Sequence, residues 1–178
     1  PDTLDLVVTP LVSLLIMSIV FVFAIMPIAG FASDLLVKGL SLLIASTNPI
    51  ISIISGYVLS ALFLPMVLLG LHHGVIPIYA VQLESIGGVT LFPVLAMAGA
   101  GQVGAALAIY IKAKKVKNNR IQKVIYGALP AGFLGVGEPL IYGVTLPMGK
   151  PFITAGIGAG LGGAFVRLSG VLSVAWGA

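Results

Sequence analysis

Residues 135–147 read G-V-G-E-P-L-I-Y-G-V-T-L-P, with one carboxylate, Glu138, set between glycines and a proline. Glycine is costly to order in a helix, and proline removes a backbone donor and clashes with the preceding turn. The stretch therefore predicts a bent, non-helical segment in a chain otherwise apolar enough for lipid. Such backbone is tolerated at membrane depth only where it is buried in protein or lines a water-filled cavity. An ionisable group placed there is a functional-site candidate by default.

Composition supports the membrane reading. Of 178 residues, 59% are hydrophobic and 8% charged, with a mean hydropathy of +1.19. A soluble domain carries about 25% charged residues. The chain is read as an all-α integral membrane protein, and its 23 glycines suit helices that pack closely in lipid. The net charge of +4 does not signal nucleic acid. Five of the nine cations fall between Lys112 and Arg120, with Lys123 just beyond and no aromatic residue interleaved. That cluster predicts a cytoplasmic loop, Lys112 to Lys123.

The absence of cysteine excludes disulfides, thiolate metal sites and any thiol nucleophile or phosphocysteine within this chain. Two histidines without an H-E-x-x-H pattern make zinc a poor expectation, and no cofactor is expected. The chain opens Pro1-Asp2 with no initiator Met and no basic stretch, so it reads as a piece of a longer protein.

Four apolar runs, Leu6 to Ala29, Ile50 to Leu71, Leu91 to Ile111 and Pro151 to Trp176, are each expected to span a bilayer. A span takes about 20 residues. Between the first two, Asp34 to Ser46 places Leu35, Leu36, Leu40 and Leu43 on one face and Lys38 on the other, predicting an interfacial amphipathic helix. Gly74 to Gly88 contains Pro77, Gln82, Glu84 and a Gly-Gly pair, too polar and broken to cross. It is expected as a re-entrant hairpin at about 73–91, entering from outside. Val124 to Pro147 predicts a second, at about 121–147, bent near Glu138 and entering from the opposite side. The chain thus divides into residues 1–47, with the first span and the interfacial helix, and 48–178, with the transport region.

With Lys112 to Lys123 in the cytoplasm, Lys38 and Lys150 fall there too, and Asp2 and Asp5 lie outside, provided both broken segments re-enter. A faint repeat runs alongside. Pro77-Ile-Tyr-Ala-Val resembles Pro139-Leu-Ile-Tyr-Gly-Val, each ahead of a Pro-opened, Gly/Ala-rich span at Pro93 and Pro151. Opposed hairpins would make this an inverted repeat, the arrangement transporters build around a midplane site; the alternative is chance similarity between Gly/Ala-rich stretches of low complexity.

Glu138 has two readings: a structural cap satisfied by backbone amides, or a carboxylate that accepts hydroxyl hydrogen bonds from a polyol such as a sugar. A proton-coupled secondary transporter using Glu138 is the alternative function. His72 and His73 project about 100° apart on a helix, so they do not grip one metal, and one imidazole is expected to face the cavity. Gln82, Glu84 and Gln102 are softer candidates. Glu84 reads as a solvated acid at the outer mouth, and Gln102 either bridges helices or touches substrate. Arg167 is expected to snorkel or to pair within the bundle. Tyr142 lies one helical turn beyond Glu138. No Ser or Cys nucleophile sits in a recognisable motif beside a His, which leaves an intramembrane hydrolase without support.

Four motifs carry a family resemblance: N-P-I-I-S-I-I-S-G-Y-V-L-S-A-L-F-L-P from Asn48, G-L-H-H-G-V-I-P-I from Gly70, G-A-G-Q-V-G-A-A-L from Gly99, and the opening stretch from Gly135. The chain resembles the membrane-embedded EIIC domain of sugar phosphotransferase systems, glucose superfamily, in wording nearest the sucrose, β-glucoside and N-acetylmuramic acid branch. The resemblance implies the C-terminal part of an EIIC fold in a bacterial cytoplasmic membrane, dimeric through an N-terminal part outside this chain. It implies a sugar bound between two opposed hairpins and phosphorylated on entry by an EIIB phosphocysteine, itself supplied through EIIA. The sugar contacts of the family's G-E-P and G-x-H motifs map to Glu138 and His72, with His73 second, and Gln102 and Gln82 as further substrate-binding candidates.

Overall fold

The computed structural model describes residues 2–28, 30, 31, 35, 38, 39 and 48–176. Among these residues the regular structure is helical, with one isolated antiparallel bridge between Val89 and Ser173. The chain forms two compact units, Pro1–Leu40 and Ser41–Ala178.

In the first unit, α1 (Asp2–Val20) runs through Pro10 and continues as a π-helical turn, Phe21–Ile25. Its apolar stretch Val8–Ile28 is long enough to cross a membrane, and its large side chains, Leu14 and Phe23 among them, are exposed. The expected interfacial helix, Asp34 to Ser46, falls almost wholly outside the described residues.

The second unit holds the remaining three helices long and apolar enough to span: α2 (Pro49–Leu68), α4 (Leu91–Lys115) and α6 (Lys150–Leu168). Asn48 starts α2, its side chain accepting from the Ile50 amide at 3.0 Å, with Pro49 in the first turn. Gly70, at φ +71°, ends it and leads into a 3₁₀ turn, Leu71–Val75. The shorter helix α3 (Ile76–Ile86) follows, closed by Gly87 at φ +70°. The basic segment is mostly helical: Lys112, Lys114 and Lys115 finish α4, and α5 (Asn119–Phe133) begins after a turn at residues 116–118. Lysine and arginine are good helix formers, so the expected Lys112–Lys123 loop shrinks to that turn. Asn118 caps α5 by accepting from the Ile121 amide. Helix α6 stops at Leu168, short of the expected Trp176, and Gly170 at φ +61° turns the chain so that Ser173 pairs with Val89.

Small residues set the directions of the helices. Along α2 and α6, Gly56 meets Gly163, the Ser60 hydroxyl donates to the Ala159 carbonyl at 2.8 Å, and Gly156 meets Ala61, so the two helices are antiparallel. Gly162 meets Met97 and Gly101 meets Ala155, so α4 is also antiparallel to α6. Helices α2 and α4 therefore run parallel, and the chain between them must come back. It does so along α3, which leaves the His72-His73 turn and ends where Gly88 abuts Leu172 beyond the end of α6. The first hairpin is thus α2 with α3, and its tip is the His-His turn. Helix α2 is long and apolar enough to be the expected span, and the segment expected as a hairpin at about 73–91 is one helix, α3, with turns at both ends. The charge-based placement changes with it, because Asn48, the start of α2, lies at the end opposite Lys112–Lys115.

The second helical hairpin corrects the expected non-helical segment: the helix breaks only over residues 134–137, and residues 138–148 are α- and π-helical. Helix α5 descends antiparallel to α4, with Ile125 and Ala128 packed against Ala106 and Gly132 against Val103. It ends in a Schellman motif: the Val136 amide donates to Ala131 at 2.9 Å and the Gly135 amide to Gly132 at 3.1 Å, with Gly135 at φ +93°. A broken return limb over residues 138–148 follows, with Glu138–Leu140, a π-helical turn Ile141–Thr145, and Leu146–Met148. Leu140 packs back on Gly132 and Gly143 on Val124, so the limb returns to the end it came from. Hairpin plus span, α2–α3–α4, is repeated in reverse as α5–limb–α6. Pro77-Ile-Tyr and Pro139-Leu-Ile-Tyr fall at the start of the two return limbs.

Candidate functional site

Between the hairpin tips lies a cleft of about 840 Å³, lined from one tip by His72 and His73 and from the other by Gly135, Gly137 and Glu138. Phe63 and Val67 of α2, Tyr79 of α3, and Phe92, Leu95 and Gln102 of α4 complete its walls. Few polar groups in a mostly apolar concavity of this size are the usual form of a small-molecule site.

Glu138 begins the return limb, and its carboxylate accepts no hydrogen bond among the described residues. The Gly-rich turn before it places the acid at the tip, where a cap would have drawn it onto backbone amides. His72 stacks edge-on against Phe63, with ring centroids 6.3 Å apart at 83°, and lies 4.0 Å from the His73 ring. Its Nδ1 is buried without a hydrogen-bond partner. A neutral imidazole offers one donor and one acceptor. Together the tips present an acceptor-only carboxylate and a donor–acceptor imidazole to one space. That set suits a ligand rich in hydroxyls.

Gln102 is wholly buried (0% exposed) in the α4 wall. Its Oε1 accepts from the Thr145 hydroxyl at 2.6 Å, joining α4 to the π-helical turn of the return limb. Gln82 is not brought to the cleft: its Oε1 accepts from the Thr90 and Leu91 amides at 3.0 and 3.2 Å, capping the start of α4 from eight residues upstream. Gln82→Ala is therefore expected to lower thermal stability by about 1–2 kcal/mol and to leave ligand affinity unchanged, as a melting curve paired with a binding isotherm would show. Tyr142 is 52% exposed and lies off the cleft. Glu84 is exposed. Arg167 packs its aliphatic stem by Gly56 with Nε and Nη2 buried and unpartnered. Thr145 is the polar residue that sequence reading passed over.

The family model described as "Phosphotransferase system, EIIC" matches residues 1–159, through both hairpins and into α6. The chain belongs to this family. A Bacillus subtilis (strain 168) protein, "Putative PTS system EIIBC component YbbF", is 50% identical over 177 residues, covering 99% of this chain and 37% of that protein. "PTS system MurNAc-GlcNAc-specific EIIBC component" of Staphylococcus saprophyticus is 50% identical over 166 residues, covering 93% of this chain and 33% of that protein. A protein of the same name from Staphylococcus aureus (strain USA300) is 50% identical over 169 residues with the same coverage. The chain spans about a third of the length of these relatives. No solved structure matches. The cleft is accordingly a feature of an EIIC-family chain.

Proposed function

We propose that this EIIC chain carries the sugar-binding half of a phosphotransferase permease, gripping the sugar between the tips of two hairpins that re-enter the bilayer from opposite faces. The observation that carries the reading is the convergence of Glu138 and the His72-His73 pair, from opposed hairpins, on one cleft. The sugar crosses inward and is phosphorylated by an EIIB phosphocysteine, whose sulfur–phosphorus bond breaks as a sugar hydroxyl takes the phosphoryl group and gives up its proton. EIIA recharges EIIB. Relatives named as EIIBC components support an EIIB domain joined to the same protein, and those named as MurNAc-GlcNAc-specific support an N-acetylated amino sugar as substrate.

In this reading the membrane is the bacterial cytoplasmic one, with the residue 116–118 turn and Lys150 inside and Asn48 outside. The protein is a dimer through regions beyond this chain. The test is transport by the full-length protein in proteoliposomes. Accumulation of sugar phosphate should require a phosphorylated donor relay and persist when the pH gradient is collapsed. Uptake driven by the pH gradient alone, with free sugar inside, would instead make Glu138 the proton carrier of a secondary transporter.

A further inference from the structure

Gln102 and Thr145 form a buried pair whose chemistry goes beyond gripping hydroxyls. Both are 0% exposed, and the 2.6 Å bond from the Thr145 hydroxyl occupies the amide oxygen of Gln102. Gln102 Nε2 is left buried without a partner at the wall of the cleft. A buried amide nitrogen with nothing to donate to is costly, and few are found in folded proteins. The lining around it, Ala98, Gly99 and Val103 of α4 and Ile141 of the return limb, has no polar side-chain atom. A ligand oxygen placed at Nε2 therefore meets a donor set among apolar side chains. A carbonyl oxygen accepts from such a donor without bringing a proton that needs a partner of its own.

We propose that Gln102 Nε2 reads the carbonyl oxygen of an acyl substituent on the sugar, an acetamido group being the fitting class, and that Thr145 is the positioning residue that fixes the amide in its donating orientation. The apolar lining receives the acyl methyl. This deepens the proposed function and rests on it, since it names the substituent recognised in the same cleft. The π-helical turn Ile141–Thr145 is what brings the Thr145 hydroxyl to Gln102, 43 residues away in sequence. It links the acyl-reading group to the limb that carries Glu138.

The test is the affinity ratio of the full-length protein for two sugars that differ only at one carbon, N-acetylglucosamine and glucose, measured in nanodiscs. Wild type is expected to favour the acetamido sugar at least tenfold. Gln102→Leu and Thr145→Val should bring the ratio to about one, while Thr145→Ser, which keeps the hydroxyl, should retain it. A Gln102→Leu or Thr145→Val protein that still binds glucose as wild type does and still discriminates would overturn the proposal. So would a wild type that favours glucose. Wild type that binds neither sugar while other sugars bind would also count against acetamido recognition. No binding of any sugar would strike at the proposed function itself.

Discussion

Replacing Glu138 by glutamine is expected to abolish sugar binding by the full-length protein while the bundle stays folded. The carboxylate supports nothing structural: it caps no helix and accepts no hydrogen bond among the described residues, and it lines the cleft. Glutamine keeps the size and removes the charge, turning one acceptor oxygen into a donor. A hydrogen bond to a charged group is worth about 1.5–3 kcal/mol, and a carboxylate that clamps two hydroxyls makes two of them. Affinity should then fall by a factor of about 10²–10⁴. Radiolabelled sugar binding to purified Glu138→Gln, beside a melting curve, reads both halves of the expectation. Wild-type affinity in that variant would remove Glu138 from the site, and a collapsed melting temperature would return it to a structural role.

The second large effect belongs to the seam between α2 and α6. A Cβ on Gly163 would collide with the Gly56 carbonyl oxygen and lie 2.5 Å from the Ser60 Cβ, and one on Gly56 would lie 2.6 Å from the Gly163 carbonyl oxygen. These obstacles are mostly backbone and cannot rotate away. Helices in lipid gain no hydrophobic drive from association, so close backbone approach is a main source of their cohesion. Gly163→Ala should cost about 1–3 kcal/mol, and Gly163→Leu should separate the pair and leave no monodisperse protein. Gly158, on the same helix, has nothing within 4 Å of the point an added methyl would occupy. It is the control, and Gly158→Ala should be silent. Size-exclusion profiles and melting curves of the three variants decide the matter; equal stability of Gly163→Leu and wild type would mean that α2 and α6 do not pack here.

How much of this was legible beforehand depended on whether the signal was local. The Gly-x-Gly-Glu-Pro break was readable because Gly135 must sit at positive φ and Pro139 can only open a helix, both properties of the residues themselves. The start of α2 was readable for the same reason, from Asn48-Pro49. The direction of α2 was not. It depends on which face of α2 meets α6, a stripe of Ser and Gly that hydropathy scores almost uniformly, and a few lysines outvoted it. Gln82 looked like a ligand because a polar residue in an apolar stretch invites that reading, yet two amides at Thr90 and Leu91 needed an acceptor and it was the nearest. Thr145 went unnoticed because helical threonines commonly bond their own preceding turn. Its shortest bond goes to another helix, at 2.6 Å, beside longer approaches to its own Leu140 and Ile141 carbonyls, and the π-helical turn that makes the meeting possible has no signature in the sequence.

The central claim, that a sugar sits between two opposed tips, is open to a direct test because this chain has no cysteine. Cysteine is introduced at His73 and at Gly137, singly and together, in full-length protein freed of other reactive thiols. A short bifunctional maleimide should join the pair across the cleft, and saturating substrate sugar should slow labelling of both single variants. Labelling at either tip that ignores the sugar, together with a pair that no short reagent joins, would contradict it.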